Sequence, residues 1–112
     1  MKRLGLGPGA PVLVYLQSPR EKVFGILVSL LPAGVVVRGI DLAAFEDWMR
    51  QEARGDEPGL GLVTLFYPMG RLERLERDET AGGLESLADR FQRTTGRSVL
   101  EAAGLSNRRR RR

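Results

Sequence analysis

Cysteine and histidine are both absent from the 112 residues. Without Cys there is no disulfide, thiol nucleophile, iron–sulfur cluster or thiolate zinc site. Without His there is no Ser-His-Asp triad, HExxH metal site or imidazole base. What remains for catalysis is carboxylate, Lys, Tyr or Arg chemistry, so the residues point away from an enzyme, and no cofactor is expected. Lysine is scarce, only Lys2 and Lys22. Long apolar runs are missing too. The stretch from Val23 to Val37 is broken by Gly25, Ser29, Pro32 and Gly34, too short and interrupted to span a bilayer. At the start of the chain, Gly5, Gly7, Pro8, Gly9 and Pro11 break any apolar signal segment. A cytoplasmic protein with no membrane insertion is the expectation.

Charge is abundant but unevenly placed. The formal net charge is +4, from 18 basic and 14 acidic residues. Five of the basic residues are the consecutive Arg108, Arg109, Arg110, Arg111 and Arg112. Without them the chain is nearly neutral, so no basic face spread over the fold is expected. The length suits one compact domain.

Residues 1–10 read as a flexible, Gly-rich lead-in. Val12–Gln17 has the β-branched and aromatic content of a strand, and Ser18-Pro19 marks a turn. Lys22–Leu31 reads as a longer strand, apolar on both faces, with Phe24, Ile26, Val28 and Leu30 on one and Val23, Leu27 and Leu31 on the other. Gly25 within it implies a bend or a close backbone approach. A third strand spans Val35–Ile40. The period then shifts: Asp41 suits an N-cap, and Leu42, Phe45, Trp48 and Met49 form a helical stripe that Gly55 ends. This stripe reads as core cover, with a partner-binding patch as the alternative.

Leu62–Tyr67 reads as a fourth strand. After the short Pro68-Met69-Gly70 connection, Arg71–Arg77 reads as a fifth strand in preference to a helix. Leu84, Leu87, Ala88 and Phe91 make a second helical stripe. Ser98 and Glu101 have capping-box spacing before a short helix over Val99–Ala103. The segments are thus a body over 11–78 with an inserted helix at 41–54, a helical extension over 79–104, and a basic tail over 105–112, expected to be disordered when free. The expected fold is mainly β with α: a strongly bent five-stranded barrel, a helix between strands three and four, and helices after the fifth.

This order resembles the Sm-like family, the bacterial Hfq branch in particular, within the wider class of SH3-like small barrels. The resemblance rests on Val12-x-Val14-Tyr15-Leu16, on Lys22-Val23-x-Gly25-x-Leu27, on Gly34-Val35-Val36-Val37-Arg38 and on Phe66-Tyr67-Pro68-Met69-Gly70-Arg71-Leu72. It covers roughly residues 11–77. It implies a ring or other homo-oligomer built by strand-edge pairing, with single-stranded RNA as partner. The family's polar turn after the second strand is here Leu31-Pro32-Ala33-Gly34, with no polar side chain. The turn before the fifth strand, Pro68-Met69-Gly70-Arg71, has no His. Arg71 is the residue that carries over as a phosphate or base contact.

Phe66 and Tyr67 are aromatics of the kind that stack on bases. Neighbours on a strand point to opposite faces, so one at most serves a given site. Tyr67 is the candidate, with a core role as the competing reading. The doubly apolar strand Leu62–Tyr67 needs a cover, either the helix near Leu84–Phe91 or a second copy. Leu62, Thr64, Phe66, Leu72 and Leu75 are the candidate interface residues. The acidic residues Asp41, Glu46, Asp47, Glu52, Asp56 and Glu57 read as a solvated face and not a metal site. A protein-interaction or scaffold module without nucleic acid is the alternative function. The arginine run is the strongest single feature, with a merely solvated tail as the competing reading. Five phosphate contacts on single-stranded RNA give a salt slope of about −3.5, roughly a hundredfold loss of affinity between about 50 and 200 mM salt. Deleting residues 106–112 is therefore expected to weaken RNA binding steeply and to flatten its salt dependence, as read from a salt titration of affinity.

Overall fold

The computed structural model describes residues 5–55 and 59–105. Five strands form one antiparallel sheet: β1 (Pro11–Leu16), β2 (Glu21–Leu31), β3 (Gly34–Asp41), β4 (Val63–Pro68) and β5 (Leu72–Arg77), in the spatial order β4-β3-β2-β1-β5. Helix α1 (Phe45–Arg54) lies between β3 and β4, and α2 (Leu87–Thr95) and α3 (Val99–Ala102) follow β5. The segment 71–77 is a strand from Leu72 onward, as its turn-like lead-in implies.

Each face of the sheet has its own core. Val12, Val14, Leu16, Val23, Leu27, Val35 and Val37 are buried on one face. Leu65 and Tyr67 from β4 pack on this cluster, and so do Leu72 and Leu75 from β5. The two end strands reach the same cluster only because the sheet curls around it. Gly25 stands opposite Gly39 in the β2–β3 ladder. A Cβ on Gly25 would lie 2.6 Å from the Arg38 carbonyl oxygen. The paired glycines give the close approach that the sequence implied.

On the outer, convex face, Phe24, Ile26 and Ile40 meet Phe45, Trp48, Met49 and Phe91 from the helical layer and Leu62 from the segment before β4. Trp48 stacks on Phe91 with ring centres 4.5 Å apart, and Phe45 meets Phe24 edge-on at 5.0 Å. The Phe45/Trp48/Met49 stripe is therefore core, and its alternative reading as a partner patch is corrected: these side chains are buried. Asp78, itself buried, accepts from the backbone N–H of Leu87 and Ala88, both at 2.8 Å, which fastens the start of α2 to the end of β5. The capping box of α3 forms as its spacing implied, Ser98 and Glu101 bonding reciprocally.

The expected barrel does not close. β4 and β5 stand at opposite ends of the sheet and are not hydrogen-bonded to each other. A 3-10 turn, Met69–Arg71, joins them instead. It bonds to the two hairpin turns: Met69 N–H to Ala33 O at 2.8 Å, Gln17 N–H to Arg71 O at 2.9 Å, and Gln17 Nε2 to Gly70 O at 3.2 Å. Other local expectations also shift. A bulge between Leu27 and Ser29 breaks the strict alternation of β2. Val28 within it, and Leu30 and Leu31 beyond it, are exposed and leave the faces that alternation assigned to them. Asp41 makes no capping bond, because a 3-10 turn over Leu42–Ala44 precedes α1. Leu84 lies in an isolated bridge with Ala81, ahead of α2, and is exposed. The lead-in joins the sheet at its end: Gly9 N–H bonds Leu27 O, and Leu27 N–H bonds Ala10 O.

Candidate nucleic-acid interface

The strand edges come first, because alternation fixes which backbone groups they offer. In an antiparallel ladder every second residue bonds to a given neighbour. The Met69 N–H to Ala33 O bond continues into the register Tyr67–Val35, Leu65–Val37 and Val63–Gly39. Thr64 and Phe66 therefore turn their N–H and C=O groups away from β3. On the other edge, Asp78 N–H bonds Pro11 O, in step with Glu76–Leu13 and Arg74–Tyr15. Leu75 and Arg77 consequently face outward. Among the described residues neither β4 nor β5 has a strand on its outer side.

Side chains along these edges differ. Phe66 is 51% exposed and Val63 53%. Phe66 lies across β3, where a Cβ on Gly34 would come within 2.8 Å of its ring. Thr64 is exposed, and its hydroxyl accepts from Arg38 at 3.4 Å. Leu72 and Leu75 are half-buried against the inner core. Leu62, expected on the interface, is buried in the helix-side core, ahead of the first residue of β4. Four of the five expected interface residues thus sit on the two edge strands, and Leu62 does not.

Arg71 is held by the chain itself. Its Nε donates to Gln17 O at 3.0 Å and one terminal nitrogen donates to Pro19 O at 2.7 Å. The Glu21 carboxylate is 3.7 Å away, and the guanidinium lies over the Tyr67 ring at 5.8 Å. Tyr67 itself is half-buried on the inner core. Burial pushes its hydroxyl above the ordinary tyrosine range, with Glu21 and Asp41 adding to this and Arg71 opposing it. The phenol therefore stays protonated near neutral pH. Arg71 and Tyr67 lie together, and they brace the turn and the concave face. Arg108–Arg112, with Asp56 and Glu57, lie outside the described residues.

A cluster that the sequence reading passed over lies on the convex face. Tyr15 stands directly opposite Lys22 on β2 and Arg74 on β5. The Arg74 guanidinium sits 4.3 Å from the Tyr15 ring centre, and Lys22 Nζ 5.9 Å from it. The Tyr15 hydroxyl donates to Glu76 at 2.9 Å. Beside this row a groove of about 580 Å³ runs to Leu42 and Ala43 at the start of the helical insertion. Its signal was present in the sequence, because Tyr15 falls on the opposite face of β1 from Val12, Val14 and Leu16.

No model of a known protein family, no curated protein and no solved structure matches the chain. Among the described residues there is no cluster of three or more His, Cys, Asp or Glu arranged to hold a metal ion. No helix among them is long and apolar enough to cross a membrane. Arg71→Ala is expected to cost about 1–3 kcal/mol of stability, since two charge-assisted bonds between turns are lost. Urea unfolding checks this, and an unchanged midpoint would remove Arg71 from its bracing role.

Proposed function

We propose that this chain is a non-catalytic, cytoplasmic RNA-binding protein that works as an assembly of identical copies. One observation carries the reading: a curled sheet with two edges, β4 and β5, at its opposite ends, both unpaired among the described residues. An exposed strand edge is a template for another strand, and natural sheets shield such edges unless they use them. Here the β4 edge carries exposed Phe66 and Val63 instead of the charge or bulge that would shield it. β5 brings half-buried Leu72 and Leu75, each followed by two charged residues. Pairing of one copy's β4 with the next copy's β5 would satisfy both rows.

Assembly gives the arginine run its force. A single run of five arginines binds RNA weakly and without sequence preference. Several runs on one particle act together, at the high effective concentration that tethering produces. The resemblance to Sm-like proteins supports the same reading. It implies a ring or other homo-oligomer built by strand-edge pairing.

The edge variant Thr64→Pro tests the assembly. The amide of Thr64 faces outward, so the ring removes a bond to a second copy and leaves the β3–β4 ladder intact. Light scattering after gel filtration is expected to give the wild-type chain a mass of several copies, and the variant the mass of one. A wild-type protein that runs as a single chain at micromolar concentration would overturn the proposal.

A further inference from the structure

The row Lys22–Tyr15–Arg74 crosses three adjacent strands on the part of the convex face that the helices leave open. Under the helices the same face carries Leu13, Phe24, Ile26 and Ile40. Beyond them it changes to one aromatic ring between two cations. Lys22 and Arg74 are exposed, and Tyr15 is half-buried. Arg20, in the turn after β1, lines both the large groove and a neighbouring depression of about 450 Å³ that includes Arg74. Among the described residues Arg20 and Lys22 make no ion pair. The groove also holds Asp41 and Glu73, which likewise have no cationic partner among the described residues. Leu42 and Ala43 give it an apolar wall.

We propose that this groove binds one nucleotide of single-stranded RNA and prefers a base that carries an exocyclic amine. The inference rests on the RNA-binding reading above and gives it a site. A flat aromatic ring with a guanidinium over it is a stacking platform, and both groups stack on unpaired bases. Arg20, Lys22 and Arg74 surround the platform and meet the flanking phosphates. Asp41 and Glu73 then have a role that a purely electrostatic site would not give them. A carboxylate repels phosphate, but it accepts a hydrogen bond from an amino group on a base edge. Cytosine presents a 4-amino donor where uracil presents a 4-oxo acceptor. The two acidic side chains therefore favour cytosine and disfavour uracil, while stacking treats the two pyrimidines alike.

The test measures fluorescence anisotropy of labelled oligo(C) and oligo(U) of equal length with the full chain. Wild-type protein is expected to bind oligo(C) roughly tenfold more tightly than oligo(U). Tyr15→Leu is expected to weaken oligo(C) binding by roughly tenfold or more, with Tyr15→Phe retaining most of it. Lys22→Glu, at an exposed position, is expected to weaken both oligomers, and the double variant Asp41→Asn, Glu73→Gln to narrow the gap between them. RNA binding that is the same for both oligomers, or unmoved by Tyr15→Leu and Lys22→Glu, would overturn the site and leave the RNA-binding reading standing. A wild-type protein that binds neither oligomer would overturn both.

Discussion

The turn at Met69–Arg71 governs how far this sheet can curl. It joins the two end strands, yet its hydrogen bonds go to the hairpin turns at Gln17–Pro19 and Ala33. Those bonds pin the turn between the two hairpin ends while β4 and β5 remain at opposite ends of the sheet. Curling gives the concave face a core drawn from all five strands. It does not bring the last two strands together. An open pair of edges among the described residues follows from this one constraint.

The two faces divide the remaining work. The concave face is filled by small β-branched residues and Leu, whose packing needs the Gly25–Gly39 approach. The convex face is shared. Helices cover one part through Phe45, Trp48 and Phe91, with Leu62 from the segment before β4 beside them. The rest bears Tyr15 with its cations. Asp78 links the two arrangements, because it caps α2 at the point where β5 ends. The helical layer is thus fixed to β5, a strand at the end of the sheet. Charge on the body is nearly balanced, and the strongly basic element is the run Arg108–Arg112.

Much of this order was legible in the residues. β-branched runs separated by Pro and Gly marked the strands to within a residue or two, and a change of period marked α1. The preference for a strand at 71–77 rested on a lead-in too short for anything but a turn, and the turn is there. What escaped the sequence depended on contacts between distant segments. The bulge at Leu27–Ser29 comes from pairing and has no signature in an apolar run. Leu62 reads as a strand residue until α1 covers it. Leu84 has the helical spacing but precedes the Ser86 cap. Arg71 looked free to bind a phosphate, because the carbonyls of Gln17 and Pro19 are more than fifty residues away. Tyr15 read as one more apolar strand residue, since its partners Lys22 and Arg74 become its neighbours only across the ladder.

Amide hydrogen exchange tests the central claim most directly, because it reads the edge rows themselves. Thr64, Phe66, Leu75 and Arg77 point their N–H groups away from the sheet, whereas Leu65 and Tyr67 point theirs into it. If copies complete one another, the four outward amides exchange as slowly as those of Leu65 and Tyr67, and dilution below the assembly concentration releases them together. Rapid exchange of all four at high protein concentration, with Leu65 and Tyr67 still protected, would contradict the account.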